Sequence, residues 1–125
     1  MLNYSSERLV KVLSIYSQMI KGLLEGSILS LIKQNEIYGY ELIEKLRKGG
    51  FNKVSEGTIY PLLLRLQKEK LISAYFIESK TGPRRKYYKI TPEGLEFLQG
   101  FEDEWVKLEK SVNYFLKHRE EHSRV

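Results

Sequence analysis

Apolar residues recur every three or four positions along most of the chain. The first such stripe is Leu9, Leu13, Tyr16 and Ile20, preceded by Ser5 and Ser6, either of which suits a helix N-cap. It predicts an N-terminal arm helix within residues 1–21. Gly22 is read as a break, after which Leu24, Ile28, Leu31 and Ile32 mark a first core helix ending near Asn35. A short turn, Glu36-Ile37-Tyr38-Gly39, leads into a second core helix over 40–48. That helix carries Leu42, Ile43 and Leu46 on one side and has Gly49-Gly50 as its stop. A third helix over 55–70 starts at Ser55 and carries Ile59, Leu62, Leu63 and Leu66. Pro61 lies inside it and predicts a bend or a tight first turn.

The pattern then changes. Residues 72–78 and 85–91 are rich in aromatic and β-branched side chains and read as two strands joined by 79–84, a Gly-Pro turn with cations at both ends. Thr91-Pro92-Glu93 restarts a helix with a cap, a first-position proline and an acid at the positive end of the helix dipole. Its apolar residues Leu98, Phe101, Trp105, Leu108, Val112 and Phe115 alternate steps of three and four, a heptad seam that needs a partner. The expected architecture is mainly α: a winged helix-turn-helix over 22–91, the arm helix before it, a long dimerisation helix over 92–119, and a polar tail over 120–125. The expected homodimer interface combines the seam with Leu9, Leu13 and Tyr16 of the arm.

Composition removes much of the alternative chemistry. The chain contains no cysteine and two histidines, His118 and His122, whose i, i+4 spacing lacks a suitable third metal ligand. No nucleophile, base and orienting acid can be assembled, so no enzyme activity, metal or cofactor is expected. No apolar run is long enough for a bilayer and no secretory start precedes the first helix, so no membrane partner and a cytoplasmic location are expected.

Charge adds a direction. Of 21 basic and 16 acidic residues, 12 basic and 3 acidic fall within 45–89, a local +9, which leaves −4 for the remainder. A segregated basic stretch over the third helix and hairpin favours a polyanion, and a major groove accepts one α-helix. The third helix is therefore expected to present Ser55, Thr58 and Tyr60 to double-stranded DNA, with Lys53 and Arg65 on phosphates. The hairpin supplies Lys80, Gly82, Arg84, Arg85 and Lys86, and Tyr38 offers a phenol to a phosphate, whereas Tyr40 is expected to pack. Of Tyr87 and Tyr88, one should face the core and one the outside. The competing reading is a winged-helix module that recruits a protein without reading an operator.

Three segments also carry a family resemblance: Tyr38-Gly39-Tyr40-Glu41-Leu42-Ile43; Ser55-Glu56-Gly57-Thr58-Ile59-Tyr60-Pro61-Leu62-Leu63-Leu64-Arg65-Leu66; and Gly82-Pro83-Arg84-Arg85-Lys86-Tyr87-Tyr88-Lys89-Ile90-Thr91. In this order and spacing they resemble the signature of PadR-like transcriptional regulators, over roughly residues 19–100. The single C-terminal helix is similar to the smaller branch of that family. The resemblance implies a bacterial homodimeric repressor of a palindromic operator, released by a small molecule. It further implies a ligand site between paired tryptophans, with Trp105 in the similar position. Glu109 one turn later would place a carboxylate beside a planar aromatic inducer. The plainer alternative makes Trp105 one more seam residue.

Overall fold

The structure, a computed structural model, describes residues 6–123, with side chains described for Ser6, Glu7 and 15–117. Leu9 and Leu13 of the expected interface, and both histidines, lie outside the described side chains. Seven elements follow in order: α1 (Ser6–Gln34), β1 (Ile37–Tyr38), α2 (Gly39–Lys48), α3 (Glu56–Lys68), β2 (Ile72–Ile77), β3 (Arg85–Ile90) and α4 (Pro92–Ser123).

The break expected at Gly22 does not occur, and arm and first core helix are one helix of 29 residues. Ile20, Leu24, Ile28 and Ile32 stay in phase through the glycine. A single internal glycine costs only about 1 kcal/mol relative to alanine, less than burying that stripe returns. Leu24, Ile28, Leu29 and Ile32 pack with Leu42, Ile43 and Leu46 of α2 and Ile59, Leu63 and Leu66 of α3 into one core. The second core helix stops as expected. The Phe51 N–H reaches back to the Leu46 carbonyl at 3.0 Å, and Gly50 takes the left-handed φ of 121° that this closure requires.

α3 begins tightly. The Ser55 carbonyl accepts from both Thr58 and Ile59 N–H at 3.0 Å, and Pro61 sits inside the helix without interrupting it. Ser55 occupies the N-cap position but makes no side-chain cap; its hydroxyl lies 3.3 Å from that of Thr58.

The sequence reading missed one strand. Ile37 and Tyr38, in place of the expected turn, pair with Tyr88 and Tyr87 of β3, which gives a three-stranded antiparallel sheet of order β1-β3-β2. Two residues are too few to display alternation, so only pairing reveals the strand. The hairpin itself runs in register from Ile72↔Ile90 to Ile77↔Arg85. Tyr88 is buried in the core, while Tyr87 lies half-buried between Tyr38 and Tyr75.

A compact hydrogen-bond knot joins the end of α3 to α4. Lys70 adopts a φ of 62°, and the next residue, Leu71, is held on both sides: its N–H donates to Leu66 O and its carbonyl accepts from Thr91 N–H at 3.1 Å. The Thr91 hydroxyl donates toward the carbonyls of Lys70 (2.7 Å) and Leu71 (2.9 Å) and accepts the N–H of Gly94 at 3.0 Å. Thr91 is thus the expected cap of α4 and also its tether.

The C-terminal seam divides. Leu98 is 2% exposed within the chain's own core, and Phe101 packs so closely over Gly26 of α1 that a Cβ there would overlap its ring. Leu98 is therefore withdrawn from the expected dimer interface and Phe101 is largely occupied within the chain, because α4 lies on α1 over its first three turns. Trp105, Leu108, Val112 and Phe115 remain exposed farther along. The helix also continues through Ser123, past the expected end near 119, since nothing after Phe115 breaks it.

Candidate nucleic-acid interface

α3 has two faces. Ile59, Leu63 and Leu66 point into the core, so the helical period turns Gly57, Tyr60, Pro61, Leu64 and Lys68 outward, and all five are exposed. Tyr60 and Leu64 form one wall of a concavity of about 370 Å³. Its other walls are the start of α2, with Tyr38, Gly39 and Tyr40, and the start of β3, with Arg85, Lys86 and Tyr88. Helix, turn and wing meet here, and no carboxylate lines the surface.

Several details hold this arrangement. A side chain at Gly39 would bring Cβ to 2.8 Å from the Tyr60 ring, so the glycine lets that ring lie directly against the start of α2. The Arg85 guanidinium lies over the Tyr38 ring at 4.7 Å, and Tyr38 in turn tilts against Tyr87 with ring centroids 5.6 Å apart. At the other edge of the wing, the Arg84 guanidinium lies 4.0 Å over Phe76 of β2. Both arginines are thereby laid on aromatic faces and lose less rotamer freedom on meeting an anion. Lys80 and Gly82 stand exposed in the tip between them and β2.

The phenols complete the electrostatics. Partial burial, and secondarily the Glu56 carboxylate, push the Tyr60 phenol above its usual value, so it stays a neutral O–H donor at physiological pH. Tyr88 shifts the same way, chiefly through burial. Tyr40, expected to pack, is 55% exposed beside the free amides of the α2 N-terminus.

The structure divides the expected DNA-contacting residues. Tyr38, Tyr60, Arg85 and Lys86 share the concavity, while Lys53, Thr58 and Arg65 line a separate cleft between α3 and α1. Ser55 is exposed at the head of α3. Arg65 differs from the other cations in being paired within the chain: Nη1 lies 3.1 Å from Glu25 and Nε 3.3 Å from Glu69. The neighbouring Lys68 has no carboxylate partner among the described residues and lies on the outward face. Leu64, 52% exposed, was overlooked, although its place four residues after Tyr60 and off the core stripe was readable. An exposed leucine on such a face suits the methyl group of thymine. Phe76 was also overlooked; its shelf for Arg84 follows from the register Phe76↔Lys86, which only the paired hairpin shows.

On α4, Trp105 lines a cavity of about 260 Å³ with Leu23, Ser27, Phe51 and Phe101, and Glu109 is exposed one turn on. No helix among the described residues is long and apolar enough to cross a membrane.

Comparison with known proteins agrees with this geometry. The profile of the transcriptional regulator PadR-like family matches residues 28–100, from the middle of α1 to the start of α4. The crystal structure of a PadR-like transcriptional regulator from Bacillus cereus is 57% identical, covers 79% of this chain and 96% of its own, and superposes with a TM-score of 0.73. That of a PadR-family transcriptional regulator from Eggerthella lenta is 29% identical, covers 90% of this chain and 97% of its own, with a TM-score of 0.78. An uncharacterized protein of Lysinibacillus sphaericus is 32% identical over 82% of this chain and 96% of its own length. The family match and the solved relatives are transcriptional regulators and not enzymes. The chain belongs to the PadR-like family of DNA-binding transcriptional regulators, built on a winged helix.

Proposed function

We propose that the chain is a cytoplasmic homodimeric repressor that reads a palindromic operator and is released by a planar aromatic ligand. The observation that carries the DNA-reading part is the carboxylate-free concavity at the meeting of α2, α3 and β3, flanked by two arginines laid on aromatic rings. In this reading the outward face of α3 enters a major groove, Tyr40 and Tyr60 donate to backbone phosphates, and Arg84 and Arg85 follow the adjacent minor groove. In this reading the first part of α1 serves as an arm, the rest of α1 through β3 forms the reading unit, and α4 is the dimerising helix.

Pairing is supported by the apolar residues that α4 leaves exposed after Phe101, a stripe that a solitary chain would present to water. A groove of about 820 Å³ between α1 and α4 supports it further. Met19, Leu23, Phe97 and Leu108 give its apolar lining, and its charged side chains are Glu25, Glu93, Glu96 and Glu104. The arm sequence Arg8-Leu9-Val10-Lys11-Val12-Leu13 intersperses cations with apolar residues and complements such a groove in the partner.

Selection of bound duplexes from a random pool is expected to return inverted half-sites about 10 base pairs apart, centre to centre, or a multiple of that. Sedimentation is expected to give twice the chain mass. Single half-sites, or a monomer at micromolar concentration, would sink the proposal. For the ligand, Trp105 emission is expected to be quenched saturably by a planar aromatic compound that also lowers operator affinity, since stacking alters indole emission. A broad screen without quenching would reduce Trp105 to a seam residue.

A further inference from the structure

α1 separates two cavities of opposite character. On one flank is the carboxylate-rimmed groove toward α4; on the other, a cleft of about 590 Å³ opens between α1 and the start of α3. Its walls are aliphatic, Ile20, Leu24, Val54 and Leu62 among them, and its polar lining consists of groups able to donate. Ser17 and Thr58 supply hydroxyls, Lys21 and Lys53 supply ammonium groups, and no carboxylate lines it. Arg65 at the rim is taken by Glu25 and Glu69, whereas Lys21 and Lys53 have no carboxylate partner among the described residues. The Lys53 ammonium rests 5.0 Å from the centre of the Tyr16 ring, and the Tyr16 hydroxyl, shielded from solvent, has no hydrogen-bond partner there. Shielded polar groups are nearly always paired, so an unpartnered shielded phenol and two ammonium groups without carboxylate partners, beside a largely aliphatic cavity of ligand size, mark a place for an anion with an apolar body.

We propose that the cleft between α1 and α3 binds an alkyl anion, an aliphatic chain ending in one carboxylate or phosphate, with the head held by Lys21 and Lys53. Aliphatic walls favour a chain over a flat ring, and the charge of the lining excludes a cation. The site is distinct from the Trp105 cavity. Its consequence for regulation rests on the DNA-binding reading: Thr58 and Lys53 stand at the head of α3, so an occupied cleft withdraws Lys53 from the operator backbone and weakens operator binding.

The test is calorimetric titration of the full chain, without DNA, using decanoate, decyl phosphate, decanol and decyltrimethylammonium. One or both anions are expected to bind saturably, with decanol about tenfold weaker or worse and the cation not bound. Lys53→Met is expected to weaken the anion about tenfold, while Lys33→Met, which removes a distant charge from α1, leaves it unchanged. Preference for carboxylate or phosphate identifies the head group. Equal binding of decanol and decanoate, indifference to Lys53→Met, or no binding at about 1 mM would each overturn the site. Displacement of a selected operator duplex by the same anion is measured separately. If the duplex itself is never bound, the operator reading fails and the titration still decides the cleft.

Discussion

Replacing Arg84 and Arg85 together by alanine is expected to weaken operator binding by roughly a hundredfold or more and to lower the salt slope by about two. A charge-assisted hydrogen bond contributes about 1.5–3 kcal/mol, so two arginines account for about 3–6 kcal/mol, and each phosphate neutralised adds about 0.9 to the slope of log affinity against log salt. Both side chains are exposed and neither has a carboxylate partner among the described residues, so the fold should not notice their loss. Phe76→Ala tests the aromatic shelf by itself. The Arg84 charge remains but is no longer held at 4.0 Å over the ring, so affinity should fall about three- to fivefold, the worth of an exposed cation–π contact, with the slope unchanged. Filter binding or anisotropy over a salt series reads both quantities. An unaltered slope in the double variant would remove the wing from the DNA interface.

Gly94→Ala is expected to lower the melting temperature by about 10 °C, even though alanine is the better helix former. A Cβ at this position in the first turn of α4 would overlap the Leu71 carbonyl oxygen, stand 3.0 Å from the Leu71 carbonyl carbon and lie 2.7 Å from Ile90 Cγ1. The first two are backbone atoms fixed by the Thr91 knot and cannot swing aside. Overpacking of this kind costs about 3 kcal/mol against about 1 kcal/mol gained in helix propensity, a net loss that is large for a domain whose stability is about 5–15 kcal/mol. Gly22→Ala makes the contrast. A Cβ there meets nothing within 4 Å, so the same exchange in the middle of α1 should stabilise by about 0.5–1 kcal/mol. Thermal melts at one protein concentration read both, since coupling to dimerisation would otherwise shift the midpoint. A Gly94→Ala protein that melts with the parent would show that the knot yields.

The two glycines also illustrate what was legible beforehand. In sequence each is a glycine within a helical pattern, and Gly22 looked the more disruptive. Its neighbours keep their phase across it, so it leaves no structural mark, whereas Gly94 permits the closest approach of α4 to the α3–β2 turn. Arg65 and Lys68 show the same limit for charge. Both are exposed cations on one helix, and only the position of Glu25, 40 residues away in the chain and 12% exposed, shows which of the two is paired.

Local periodicity and turn chemistry determined nearly all of the elements, because a stripe every three or four residues, a Gly-Gly stop, a Gly-Pro turn and a Thr-Pro start act within a few residues of themselves. The segregation of positive charge and the three family segments determined the class of partner by the same local means. Tertiary structure decided what depends on distant residues meeting: the pairing of β1 with β3, the burial of Leu98 and Phe101 against α1, the aromatic shelves under Arg84 and Arg85, and the opposite linings of the two cavities beside α1. Each of these is a relation between surfaces, and a helical or strand period states which side of an element is apolar without stating what will lie against it.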